Sequence, residues 1–338
     1  MPRWYAWRAE DHLSHRVRRS RGPRQVSQPL ANREPQGESA PMLALDEATG
    51  HLIRRAQQRH TFLWGQEFNG DLTGPQYAVI SAIGSDQALD QRAVGERASL
   101  DKSSTADIVA RLEGQGWLRF AKDPGDGRRK SLSLTPLART ALGEVTRRVG
   151  LVQQRLLAPV PEETTAAFVE ALRRVAYGGH PPLPGQVDEQ VLVLGQTPGH
   201  LIRRVQQAHT VAWSDEVGRV MTAPQYAVIS ALWAHPEGID QSTGAELASV
   251  DKSSMADIVQ RLVRRDWIAR TRDANDARRR LLCLTDTVRD ELVSLTPAVR
   301  RVQDRLLGPL RSTQERELFL SGLRALAYTA DLEATSGK

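Results

Sequence analysis

The chain contains itself twice, and this repetition constrains its fold more than any single motif. GHLIRRAQQRHTFLW from Gly50 returns as GHLIRRVQQAHTVAW from Gly199, and PQYAVISA stands at Pro75 and Pro224, each pair offset by 149. After one added residue in the HPEG loop of the second copy, DKSS-x-ADIV-x-RL at Asp101 recurs at Asp251, offset by 150. Identities number 21 of 34 between 50–83 and 199–232, 16 of 30 between 90–119 and 240–269, but only four of 14 between 137–150 and 287–300. Solenoid and propeller units run to roughly 20 to 50 residues. A period near 150 therefore makes each copy a whole domain. The junction GGHPPLPGQVDEQ, residues 178–190, breaks any helix with its Gly and Pro and reads as a linker. Two like domains on a short tether describe a homodimer fused into one chain. The expected division is a basic, disordered tail (1–41), domain 1 (42–177), the linker (178–190), domain 2 (191–330) and a C-terminal tail (331–338).

Composition excludes several classes. A chain of 338 residues can bury two ordinary cores, and 40% apolar content without an apolar run near the roughly 18 residues of a membrane span argues against a transmembrane protein. The single cysteine, Cys283, allows neither an internal disulfide nor a thiolate metal cage, which fits a cytoplasmic location. The net charge of +6 is uneven, because residues 1–41 hold eight arginines against four acidic residues and the other 297 carry only +2. An argument for nucleic-acid binding must therefore rest on local placement. The tail lacks the apolar stretch of a secretory signal and is rich in Pro, Gln, Ser and Arg. It reads as a DNA-touching arm, an inert extension or an artefact of start assignment, with Met42 just before the first periodic segment.

Within a copy, a long helical pattern from about Asp46 to Phe68 leads to Thr73-Gly-Pro-Gln76, a capping box with Pro in the first turn, repeated at Thr222-Ala-Pro-Gln225. The nearly all-apolar 77–83 predicts a buried helix. Asp90 and Asp101 are caps for two more helices, the second terminated by Gly114 and Gly116. After Trp117 the period changes from 3.6 to 2, in LRFAKD and KSLSLT around the turn residues DPGDGRR, which predicts a hairpin. Helix, turn, helix, hairpin is the winged helix-turn-helix order. Helical patterns resume from about Pro136 to Leu157 and from Glu162 to Tyr177. The predicted class is mainly α with small β wings, two winged helix-turn-helix domains forming an intramolecular pseudo-dimer.

In the helix after Asp101 the apolar stripe is Thr105, Ile108, Val109 and Leu112, so Ser103, Ser104, Asp107 and Arg111 project the other way. Such a face suits a major groove, with Ser and Arg at base edges, Asp107 accepting from a cytosine amine and Lys102 on phosphate. The second copy offers Lys252, Ser253, Ser254, Asp257 and Arg261. The hairpin tips add Arg128, Arg129 and Lys130 beside Asp126, and Arg278, Arg279 and Arg280 after Asp276, suited to a narrow minor groove. Alike heads predict a near-palindromic duplex operator with half-sites about one helical turn apart.

LDKSSTADIVARLEGQGWL followed by DPGDGRRKSLSLT, and LASVDKSSMADIVQRLVRRDWI followed by DANDARRRLLCLT, resemble the recognition helix and wing of the MarR family of bacterial transcription regulators. The resemblance covers 43–177 and 192–328, including the D-x-x-D-x-R wing at Asp123, Asp126 and Arg128 and at Asp273, Asp276 and Arg278. It implies an intertwined helical dimerisation region and control of neighbouring genes, often by repression that small phenolic or aromatic acids relieve. The departures are the covalent fusion and Arg97, where the second copy has Leu247 and the family pattern favours an apolar core residue, a charge expected to loosen the first head.

His51, Arg55, Trp64 and Tyr77, with His200, Arg204, Trp213 and Tyr226, offer a cation, donors and aromatic walls for an aromatic carboxylate. Their bland alternative is that the polar groups bridge helices and the aromatics are core. Phe62, Leu63 and Phe68 stand where the second copy has Val211, Ala212 and Val217, so two pockets would differ in volume. Cys283 reads as a passive strand residue. His51 and His60 fall on opposite sides of one helix, so no metal site is expected, and no cofactor. The leading expectation is a ligand-responsive DNA-binding regulator, a monomer acting as a pseudo-dimer. An enzyme is disfavoured because no G-x-S-x-G, phosphate-binding Gly loop or HExxH occurs. The alternative is a winged-helix interaction scaffold without specific DNA readout.

Overall fold

The computed structural model describes residues 42–84, 89–122, 130–182, 190–273, 276 and 278–329. The first copy runs α1 (Thr49–Phe68), α2 (Gly74–Ile83), α3 (Gln91–Ala98), α4 (Lys102–Gly114), β1 (Leu118–Lys122), β2 (Lys130–Leu134), α5 (Pro136–Leu157) and α6 (Glu162–Ala176). The second repeats it as α7 (Pro198–Glu216), α8 (Ala223–Trp233), α9 (Gln241–Ala248), α10 (Lys252–Arg264), β3 (Ile268–Arg272), β4 (Arg280–Leu284), α11 (Thr287–Leu307) and α12 (Thr313–Ala327), after a short 3-10 turn at Leu194–Gln196. Both strand pairs are antiparallel hairpins, Leu118 opposite Leu134 and Ile268 opposite Leu284. One further bridge in each, Leu89 to Leu132 and Ile239 to Leu282, ties the hairpin to the segment before α3 or α9.

The predicted caps set the helix starts. Thr73 and Gln76 form the full reciprocal capping box, as do Thr222 and Gln225. Asp90 and Asp101 accept backbone N–H groups at the starts of α3 and α4. Ser99 and Ser249 end α3 and α9 in the left-handed conformation, making the tight turn into each following helix. Nearly all of α2 is buried, as its apolar composition demands.

Two compact units cut across the copies: the described part of Met1–Leu45 with Trp213–Arg301, and Asp46–Ala212 with Val302 onward. The second is where the copies intertwine. There α1 packs on α12 as well as on α5, and α6 packs on α12. Phe168 lies against Gly322, where a Cβ would overlap the ring. The His60 ring fills the space over Gly199, and reciprocally the His209 ring fills the space over Gly50. Gln153 accepts the Gly199 N–H at 2.8 Å, while Gln303 accepts the Thr49 N–H at 3.2 Å. These crossed pairs lock the N-termini of α7 and α1 in register.

Arg97 is not a buried core charge. It is half-buried, and its guanidinium reaches the Ala82 carbonyl at 3.3 Å, near the C-terminus of α2 where a cation is favourable. The long side chain carries its charge out of the core, which overturns the expected loosening by a desolvated cation. Cys283 is buried in β4 with its sulfur 3.5 Å from Thr271 Oγ1. Among the described residues no helix is long and apolar enough to cross a membrane.

Candidate nucleic-acid interface and effector pocket

Burial separates the two faces of α4 as the residue pattern requires: Thr105, Val109 and Leu112 go inside, whereas Lys102, Ser103, Asp107 and Arg111 are exposed and Ser104 is half-exposed. On α10, Met255, Ile258, Val259 and Leu262 are inside, with Lys252, Ser253, Ser254, Asp257 and Arg261 exposed. At the helix starts, Ser103 and Ser104 both donate to the Asp101 carboxylate at 2.6 Å, and Ser253 donates to Asp251 at 2.6 Å. These hydroxyls and the Ser104 N–H hold the Asp101 carboxyl down to about 2, and Asp251 is lowered by the same cause. The serines thus tighten the first turn of each helix.

Arg128 and Arg129 lie outside the described residues, as do Asp123 and Asp126. In the second copy the wing is visible at its base. The Arg278 backbone N–H donates to Asp276 at 2.9 Å, and its side chain is exposed. Arg279 is ion-paired with Asp240 at 2.8 Å and with Asp273 at 3.6 Å. Asp240 is the N-cap of α9, so Arg279 braces the wing against the helix-turn-helix.

The eight residues expected to hold an effector do not gather as two sets. The Trp64 indole N–H donates to the Leu72 carbonyl at 2.6 Å, and its ring stacks on Phe68. Tyr77 Oη is bonded to Thr146 at 3.1 Å and accepts the Leu192 N–H at 3.1 Å. Trp213 donates to the Met221 carbonyl at 2.9 Å and meets the Tyr226 ring edge-on, while Tyr226 accepts the Leu43 N–H. These four aromatics are therefore core and strap anchors. His51 contacts Arg54, and Arg55 donates to the Ala327 carbonyl at 2.7 Å beneath the Tyr328 ring. On α1, Arg55 and Trp64 are nine residues apart, about 13 Å of helix rise.

His200 and Arg204 do meet a head, but that of the first copy. Arg203 donates to the Ala98 carbonyl at 2.5 Å and the Ser99 carbonyl at 3.1 Å; Arg204 bonds Ser99 Oγ and lies 4.0 Å over the Tyr177 ring. Gln207 donates to the Ser99 carbonyl at 3.2 Å, and His200 Nε2 is 3.5 Å from Ser99 Oγ. Four side chains of α7 thus grip the turn between α3 and α4. Burial, with Arg204 nearby, lowers Arg203 to about 10, and burial beside Arg203 lowers His60 to about 4 and His200 well below its usual value. This is a cationic environment suited to an anion.

A cavity of about 380 Å³ opens between α1 and α7, lined by Arg54, Gln57, Gln58, Thr61, Phe62 and Gln206. Burial and the adjacent Arg55 lower Arg54 to about 10. Residue-type reasoning chose the second arginine of each repeated His-Leu-Ile-Arg-Arg; of the first arginines, Arg54 lines this cavity and Arg203 meets the α3 turn.

Two family models, each described as MarR family, match residues 70–129 and 221–279. The transcriptional regulator HosA of Escherichia coli is 35% identical over 130 residues, which is 38% of this chain and 94% of the relative. The chain belongs to the MarR family. The PcaV regulator of Streptomyces coelicolor, solved with its natural ligand, is 40% identical over 41% of this chain and 99% of its own, with a TM-score of 0.39. BpsR of Bordetella bronchiseptica, whose DNA binding is regulated by 6-hydroxynicotinic acid, is 26% identical over 40% of this chain and 97% of its own, with a TM-score of 0.38. The family model matches twice and the HosA relative corresponds to 38% of this chain, so the present MarR protein is a tandem of two such domains.

Proposed function

We propose that this MarR protein is a sequence-specific, double-stranded-DNA-binding repressor that occupies a near-palindromic operator as a single-chain pseudo-dimer, and that a small aromatic or phenolic acid relieves it. Residues 42–177 and 191–330 supply one head each, and the chain works as a cytoplasmic monomer. The observation that carries this reading is the twice-presented helix face, Lys102, Asp107 and Arg111 on α4 and Lys252, Asp257 and Arg261 on α10, exposed beside a hairpin. Arg203 supports the effector half. Two of its N–H contacts end on backbone carbonyls of the α3 turn, and a carboxylate is a stronger, bidentate acceptor for the same fork. An acid that draws Arg203 away releases the turn from which α4 starts. The cavity beside Arg54 lies within the roughly 300 to 1,000 Å³ usual for small ligands.

A salt-titrated binding assay with footprinting on DNA flanking the protein's own gene tests this. One chain per near-symmetric protected site, a steep salt slope and release by aromatic acids are expected. Sequence-independent binding by a demonstrably folded chain overturns it in favour of an interaction scaffold.

A further inference from the structure

The two DNA-facing surfaces share a helix motif yet differ in charge. From Asp101 to Thr135 the first copy has seven basic against five acidic residues, and from Asp251 to Thr285 the second has nine against five. The differences fall at particular places. Where the first copy reads Glu113-Gly114-Gln115 at the end of α4, the second reads Val263-Arg264-Arg265. Arg265 is committed to its own head, 3.9 Å over the Trp267 ring and donating to the Val220 carbonyl at 2.6 Å. Arg264 is exposed and follows Asp257 and Arg261 at i+7 and i+3, so it extends the same helix face. On the wing, Arg270 of β3 replaces Phe120 of β1 while Ala269 stands where the first copy has the exposed Arg119, so the basic charge moves onto the strand face of Arg272, and both Arg270 and Arg272 are exposed.

Two more features point to the same head. Arg279, held by Asp240 and Asp273, braces the hairpin that displays Arg270, Arg272, Arg278 and Arg280. Met42 is buried, and Leu43 is seated on α8, donating its N–H to Tyr226 Oη at 3.4 Å and accepting from Ser230 Oγ at 3.0 Å. Residues 1–41, outside the described residues, include eight arginines and precede Met42 in the chain.

We propose that the second head is the electrostatic anchor of the chain: Arg264 and Arg270 make phosphate contacts for which the first head has Gly114 and Phe120, so the second head carries the larger share of salt-dependent affinity and engages a lone half-site. This rests on the DNA-binding reading above and adds which head dominates and through which side chains. Each neutralised phosphate releases counterions and steepens the fall of log K with log salt by about 0.9.

The test uses the full chain, a duplex selected by it from a random-sequence library, and that duplex cut to one half-site. Arg264→Gly with Arg270→Phe lowers the salt slope by about 2 and abolishes half-site binding. Gly114→Arg with Phe120→Arg raises the slope by about 2. A Cβ at Gly114 meets nothing within 4 Å, so this second variant keeps the test open if the first fails to fold. Lys102→Ala leaves half-site binding in place, whereas Lys252→Ala removes it. Failure of the library to enrich any sequence overturns the regulator reading and this proposal with it. Enrichment with unchanged slopes, or equal losses from Lys102→Ala and Lys252→Ala, overturns the anchor alone.

Discussion

The first head, residues 70–135, shares a compact unit with the helical bundle, and α7 of the second copy grips it at Ser99 through His200, Arg203, Arg204 and Gln207. The second head, within Trp213–Arg301, forms a unit with the strap at 42–45 and carries the more basic recognition helix. In a homodimer every substitution appears in both protomers, so the two heads cannot differ in sequence. Fusion lifts that constraint. The preserved helix motif and the diverged arginines show where identity was kept and where it was released.

The largest effect should come from what both heads share. Phe168→Ala opens a cavity against Gly322 and α12, costs about 3–5 kcal/mol in urea unfolding, and weakens binding to both half-sites together. Loss confined to one half-site would show that the bundle does not serve both heads equally. Acidification acts on the same region. His60 is neutral when folded, with its pKa lowered to about 4, while the unfolded side chain takes up a proton near 6.5. Stability contributed by neutral His60 is therefore complete above pH 6.5 and declines as pH falls from there through 4. His60→Gln should flatten the pH dependence of the unfolding midpoint across that window.

Arg203→Ala should separate the heads. It removes two charge-assisted bonds to the α3 turn, costs about 1.5–3 kcal/mol, and speeds amide exchange at 98–105 while leaving 248–255 unchanged. Equal change in both segments would contradict the assignment of this grip to the first head. The smallest difference is between Arg111→Ala and Arg261→Ala. Each should cost about 1–3 kcal/mol in operator affinity, and the second should cost more if its head is the anchor.

Much of this was legible in the chain. Thr73 with Gln76, Asp90 and Asp101 mark helix starts because local hydrogen bonds to the first free N–H groups need only nearby residues. The change of period after Trp117 marked the hairpin, and the apolar stripe of α4 told which side chains face out. The contacts of the candidate effector residues were less legible. That Arg203 and Arg204 both meet the α3 turn, while Arg55 meets the Ala327 carbonyl, depends on how an element from the other copy docks, and helix spacing within one copy carries no such information. The partners of the aromatic residues were hidden for the same reason: the polar tips of Trp64 and Tyr77 meet the Leu72 carbonyl and the distant Thr146 and Leu192.

Duplication, domain size, capping, the winged-helix order and the exposed face of each recognition helix follow from short-range chemistry and repetition, which the chain states by itself. The crossing of the copies is a matter of long-range packing. Only folding put His60 over Gly199, Phe168 against Gly322 and Arg203 on the turn of the first head, because close-packed side chains from distant segments select one docking among many that the local pattern allows.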